Sequence, residues 1–210
     1  MSFAGKLVAV TGAASGIGLA AARLLAQRES ENSPKSHILT TALDVRDSAQ
    51  VDSWIKKSTD KLGPLYGAAN VAGVTEKQLS GDPLDAAEWD HIIGTNLTGV
   101  MHCVQAQARK ASSEGASIVN VSSIVGKHGV VGLTRRIAQH LAPKNIRVNC
   151  VAPTLTEKAF KEHQIPENLM SDMQWLAKPE EVARGIAFLL SQEAPFMTGS
   201  TYPVDGGYLY

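Results

Sequence analysis

The segment Leu7-Val8-Ala9-Val10-Thr11-Gly12-Ala13-Ala14-Ser15-Gly16-Ile17-Gly18 constrains the fold of this chain more than any other. A short apolar run feeds a turn carrying three glycines, and the Ala- and Leu-rich stretch Leu19 to Gln27 follows. Strand, glycine turn and helix in that order form a phosphate cradle. The glycines let the backbone turn tightly and approach a pyrophosphate closely, and the start of the helix offers unpaired N–H groups at a positive dipole end. Gly12, Ser15, Gly16, Ile17 and Gly18 are therefore the first candidate binding residues.

The rest of the chain alternates short apolar runs with helical patterns, which predicts βαβ units and a parallel sheet buried on both faces. Strands are expected at Leu7 to Val10, Ile38 to Leu43, Leu65 to Val71, Ser117 to Ser122, Ile146 to Ala152 and in the tail around Val204. Asp47, with Gln50 three residues on, predicts the start of a helix whose face carries Val51, Trp54, Ile55 and Leu62; Gly63-Pro64 ends it. A long helix is predicted from about Ala86 to Ala111, interrupted near Gly94-Thr95-Asn96, and another from Val130 to Leu141. Pro179-Glu180-Glu181 opens a last helix with proline in its first position and acids in its first turn. Residues 154–176 have weak periodicity and read as a substrate lid. With no repeat, low-complexity tract or linker, the 210 residues read as one domain.

Composition narrows the classes. Lys plus Arg and Asp plus Glu both number 20, so the formal net charge is zero and nothing points to nucleic acid or an anionic membrane as partner. Cys103 and Cys150 lack metal-type spacing, and the six histidines show none, so no metal site is expected. No apolar run reaches the roughly 18 residues of a membrane helix. The expectation is a cytoplasmic protein.

The ordered motifs Thr11-Gly12-x-x-x-Gly16-x-Gly18, Asp44-Val45, Asn70-Val71-Ala72-Gly73, Asn96 within a helix, Ile118-Val119-Asn120-Val121-Ser122-Ser123, Ile146-Arg147-Val148-Asn149 and Val204-Asp205-Gly206-Gly207 span the chain. Together they resemble the short-chain dehydrogenase/reductase family, and in detail its members in specialised-metabolite pathways. The resemblance implies a single doubly wound α/β domain of Rossmann type, NAD or NADP as cofactor, and hydride transfer between a nicotinamide and a small alcohol or ketone. It implies Ser123, Lys127 and Asn96 as catalytic residues. It adds Asp44, Val45, Asn70, Ala72, Gly73 and Thr156 to the cofactor site, and implies a homodimer or homotetramer built on the helices around Asn96 and Val130 to Leu141.

Two departures accompany it. The family's proton donor is a tyrosine four residues before the lysine, because a phenol of pKa about 10 needs a nearby cation to work near neutral pH. That position relative to Lys127 is Ser123 itself, and none of Tyr66, Tyr202, Tyr208 and Tyr210 has lysine four residues on. Members carry a longer segment between serine and lysine. Four residue steps still reach about 14 Å, enough to join a strand end to a neighbouring helix; alternatively Lys127 belongs to the loop after Ser123 and both partners are absent. Second, the stretch between the first helix and Asp44 is one strand and one helix short. Either Ile38 to Leu43 takes the missing strand's place beside the first strand and Asp44 stands as the ribose-binding acid, or Asp44-Val45 lines the adenine and the choice between NAD and NADP is unset. A smaller departure is Pro153-Thr154, where the family has proline-glycine. The rivals to an oxidoreductase are a non-catalytic nucleotide-binding or scaffold protein and the product of a shortened reading frame.

Overall fold

A computed structural model describes residues 3–30, 37–75, 86–122, 128–154 and 176–208. Five strands, β1 (Leu7–Thr11), β2 (Leu65–Asn70), β3 (Ala116–Val121), β4 (Ile146–Pro153) and β5 (Thr201–Val204), form one parallel sheet in the order β1-β2-β3-β4-β5. Parallel strands need crossovers, and helices supply them: α1 (Gly16–Ser30), α2 (Ser48–Leu62), α3 (Ala86–Ile93), α4 (Gly99–Arg109), α5 (His128–Leu141) and α6 (Pro179–Leu190). A π-turn, Gly94–Thr98, joins α3 to α4 where an interruption is expected.

The sheet alternates its side chains between two cores, as period two requires. Ala68, Ile118, Val148 and Cys150 pack with Val51, Ile55, Val104 and Val130 from α2, α4 and α5. Ala69, Val119 and Val151 pack on the other face with Ala21, Leu25, Ile186 and Leu190 from α1 and α6. Both faces are thus covered, which is why β2, β3 and β4 read as continuous apolar runs.

Local signals set the ends of these elements. The Asp47 carboxylate accepts from Ala49 N at 2.9 Å and Gln50 N at 3.1 Å, and Gly63, at φ 92°, closes α2 by donating to the Thr59 carbonyl. Lys178 N donates to the Glu181 carboxylate at 2.8 Å at the start of α6. At the other end of α6, the part-buried Arg147 guanidinium donates to the carbonyls of Leu189 and Ser191 and fixes that helix end to β4.

One expected strand does not form. Residues 37–44 have no regular structure; Ile38 is 70% exposed and Leu39 41%. α1 lies on one face of the sheet and α2 on the other. No described strand flanks the outer edge of β1, and a β-prone run without a partner leaves its backbone groups to water. The reading that set this strand beside β1, with Asp44 as the ribose-binding acid, is therefore corrected. The lid expected at 154–176 falls almost entirely outside the described residues.

Candidate functional site

In parallel α/β sheets, ligands bind outside the carboxyl ends of the strands. The β1 turn at that end is built by its glycines. Gly12 has φ 69°, and a Cβ on it would stand 2.9 Å from both Cα and N of Ala72. A Cβ on Gly18 would overlap the Gly12 carbonyl. Gly16 has φ 53° and faces open space, where a bound group can approach the backbone. Ser15 is exposed, Ile17 half-buried, and the Ser15 carbonyl accepts the first bond of α1 from Leu19. The cradle a Cβ would fill, the open space over Gly16 and the start of α1 fit a pyrophosphate.

Thr11 ties this turn to the neighbouring strand. Its Oγ1 accepts from Val71 N at 3.0 Å and Ala72 N at 3.1 Å, so the exit of β2 lies against the cradle. Beneath it runs a buried amide chain. Asn70 Nδ2 donates to Gln107 Oε1 and to Asn120 Oδ1, each at 3.0 Å, and Gln107 Nε2 returns a bond to Asn70 Oδ1 at 2.8 Å. Asn120 Nδ2 donates to Thr134 Oγ1 at 3.0 Å. Asn70 is thus a strut below the cofactor wall, while half-buried Ala72 and exposed Gly73 form the wall.

Asn96 sits in the π-turn and is 6% exposed. Its Oδ1 accepts from Val74 N at 2.9 Å and its Nδ2 donates to Val74 O at 2.7 Å. The turn therefore anchors the chain just past the cofactor wall. Val45 is buried, and a Cβ on Gly99 would be 2.7 Å from its Cγ2, so the segment after residue 44 is pressed onto the start of α4. Val45 shares a narrow crevice with Thr11, Asn70, Ala72 and Thr95, which sets Asp44-Val45 at the same end as the cradle.

Asp44 does not stand alone. Arg46 donates from Nε to both carboxylate oxygens, at 3.0 and 2.9 Å, from Nη2 to Oδ2 at 2.6 Å, and from its backbone N to Oδ1 at 2.9 Å. The Arg46 side chain and then its backbone N–H hold the Asp44 carboxyl down at about 2. Arg46 Nη1 lies 3.1 Å from His91 Nδ1.

Ser123, Lys127 and Thr156 lie outside the described residues. Of the described tyrosines, Tyr66 lies near the amino end of β2 and accepts from Gln192 Nε2, while Tyr202 of β5 pairs with Val151 of β4, which pairs in turn with Val121 at the carboxyl end of β3. Tyr66 is thus at the end of the sheet opposite the cradle; Tyr208 lies in the turn after β5, where its N–H donates to the Asp205 carbonyl. Among the described residues no cluster of three His, Cys, Asp or Glu could hold a metal, and no helix is long and apolar enough to cross a membrane.

Sequence reasoning missed Arg46, His91 and the Gln107-Asn120-Thr134 chain. The first has a legible signal, an arginine two residues from an acid before a helix cap. The others join residues far apart in sequence and have none.

A parallel sheet covered on both faces, with a glycine cradle at its carboxyl end, defines an α/β protein of Rossmann type. The chain belongs to the short-chain dehydrogenase/reductase family of oxidoreductases. Residues 28–209 match the family profile described as enoyl-(acyl carrier protein) reductase. The short-chain dehydrogenase/reductase aba4 of Botryotinia fuckeliana is 34% identical over 252 residues, covering 98% of this chain and 97% of that protein. That alignment is longer than the 210-residue chain, so the relative has positions with no residue here. The short-chain dehydrogenase/reductase, glucose/ribitol dehydrogenase, of Brucella melitensis superposes with a TM-score of 0.88 at 26% identity, covering 99% of both chains. ElxO with NADP bound superposes with a TM-score of 0.84 at 28% identity, covering 97% of this chain and 98% of that one, and so does a tyrosine-to-phenylalanine variant of ElxO with NADPH bound.

Proposed function

We propose that the chain binds NAD or NADP and interconverts a small alcohol and ketone, as a cytoplasmic enzyme of specialised metabolism. The observation that carries this reading is the cradle: Gly12, Gly16 and Gly18 beside Ala72, locked by Thr11, at the carboxyl end of the parallel sheet. When bound, the dinucleotide supplies or accepts the hydride. The chain's own residues bind and orient it: Ser15, Gly16 and Ile17 at the pyrophosphate, Asp44 and Val45 at the adenine, and Ala72, Gly73 and Thr156 along the nicotinamide half. Asn96 shapes the wall through Val74, and Ser123 and Lys127 stand for substrate oxygen and ribose.

The proton is the open step, since a ketone that accepts hydride must also gain one proton at oxygen. Tyr66 is held at the far end of the sheet, and none of the four tyrosines has lysine four residues on, which favours a second reading, a nucleotide-binding protein of low or no turnover. Loss of a general acid lowers rates by about 10²–10⁴-fold. Inserting a tyrosine-containing segment between Gly126 and Lys127 separates the two. Reduction of small ketones by NADH or NADPH that rises by that order supports the enzyme reading; unchanged inactivity in a folded variant that binds cofactor supports the second.

The reading includes a homodimer or homotetramer, built on the helices around Asn96 and Val130 to Leu141. A shallow groove of about 460 Å3 between the π-turn with α4 and α5 is lined by Leu97, Met101, Gly129, Leu133 and Arg136.

A further inference from the structure

β1 has the composition of an interior strand but stands at an edge of the sheet. Leu7-Val8-Ala9-Val10-Thr11 carries no charge and no proline, two devices that usually blunt an exposed edge. It pairs with β2 in unbroken register from Val8 to Thr11, after a shift between Leu7 and Val8, and no described strand lies on its other side. An edge strand presents a row of unpaired N–H and C=O groups. The apolar layers stay open at this edge as well. Leu7, on the α2 and α4 face, and Val8 and Val10, on the α1 and α6 face, are only half-buried, whereas every residue of β3 is buried.

The same chain carries a strand without a sheet. Residues 38–42, Ile-Leu-Thr-Thr-Ala, are mostly β-branched or apolar, form no regular structure and are all exposed. Leu43 packs on the core of α2 and α4 and Val45 is buried beyond it. The run is therefore anchored at its carboxyl end and exposed along five residues, the length of β1. We propose that this run is exchanged between copies: residues 38–42 of one chain lie along the outer edge of β1 in a second, as a further strand of its sheet. A strand seated there bonds the outward backbone groups of β1. Its period of two sets Ile38, Thr40 and Ala42 over one open apolar layer and Leu39 and Thr41 over the other. An open edge and an unpaired strand in one chain satisfy each other across two copies with no other partner, as in domain swapping. A reciprocal exchange gives five residues and receives on five in each copy. That is below the 20–30 residues a side of a standard stable interface, so the association is weak, with a dissociation constant of roughly 10–100 μM.

Hydrogen exchange of the full chain, read by mass spectrometry from about 1 to about 500 μM, follows the β1 amides separately from those of α4 and α5. The amides of residues 7–11 should exchange at least about threefold more slowly at the high end, while sedimentation shows the mass rising. Thr40→Pro removes a backbone donor from the middle of the run, at an exposed site with no regular structure to break. Ile38→Lys keeps the backbone and adds a charge at a site that is already exposed. Each should weaken association at least about tenfold with an unchanged circular dichroism spectrum. A synthetic peptide of residues 37–43, added in excess to the dilute natural chain, should slow the same β1 amides. Exchange at β1 that ignores concentration overturns the proposal, even where the mass rises through the groove between α4 and α5. Protection of β1 that survives Thr40→Pro undiminished overturns it too, and assigns the edge to pairing of β1 with β1.

Discussion

At the scale of single residues, the cradle is decided by what cannot carry a side chain. Gly18→Ala sets a Cβ into the Gly12 carbonyl, a backbone atom that moves only if the turn opens. The expected outcome is a fall in stability of about 1–3 kcal/mol, the range for overpacking a tight site, with loss of dinucleotide binding. Gly132→Ala, in α5 with nothing within 4 Å, should be neutral or stabilising, because alanine favours helix over glycine by about 1 kcal/mol. Urea unfolding of both variants checks the pair; equal losses would contradict the geometry. A second residue-scale expectation concerns Cys103, which is 1% exposed and whose thiol burial pushes up to about 12. The thiolate is the reactive form. Cys103 should resist a disulfide reagent in the native protein and react only on unfolding, and native labelling within minutes would contradict the packing.

The Asp44 carboxyl carries a pH prediction with a definite sign. Its folded pKa, about 2, lies below the ordinary value for aspartate. The pair with Arg46 is therefore complete above the unfolded value and is lost as pH falls through the folded one. A carboxyl-carbon titration by NMR should place the midpoint near 2, and an ordinary midpoint near 4 would show that Arg46 is not bound to it.

At the scale of elements, the helices were legible because each carries its own signals. Asp47 with Gln50 marks the start of α2, and the run Val51, Trp54, Ile55 marks its buried face. Asp47→Ala should cost about 0.5–2 kcal/mol, the usual worth of such a cap, and Ile55→Ala, at a site 1% exposed, about 2–5 kcal/mol. Thermal unfolding should rank the two in that order, and the reverse ranking would refute the assignment of cap and core. The interruption near Asn96 was legible too, from Gly94-Thr95-Asn96, and forms as a π-turn. What the sequence could not disclose was pairing. Ile38 to Leu43 has the composition of a strand, but a strand exists only with a neighbour, and the neighbour depends on chain elsewhere. The same limit hid the amide chain from Asn70 to Thr134, whose members meet only because β2, β3, α4 and α5 converge.

At the scale of the whole molecule, the sheet of the described residues ends at β1, with α1 and α2 on its opposite faces. The cradle nevertheless keeps both of its walls on the β2 side: Thr11 still holds Val71 and Ala72, and Asn96 still holds Val74. The central claim is therefore that this sheet binds a nicotinamide dinucleotide. The most direct measurement excites the tryptophans of the folded chain and follows energy transfer to the nicotinamide of added NADH or NADPH. Saturable transfer, abolished in Gly18→Ala, is the predicted result. No saturable transfer with either cofactor, from a chain shown to be folded by circular dichroism, would contradict the account.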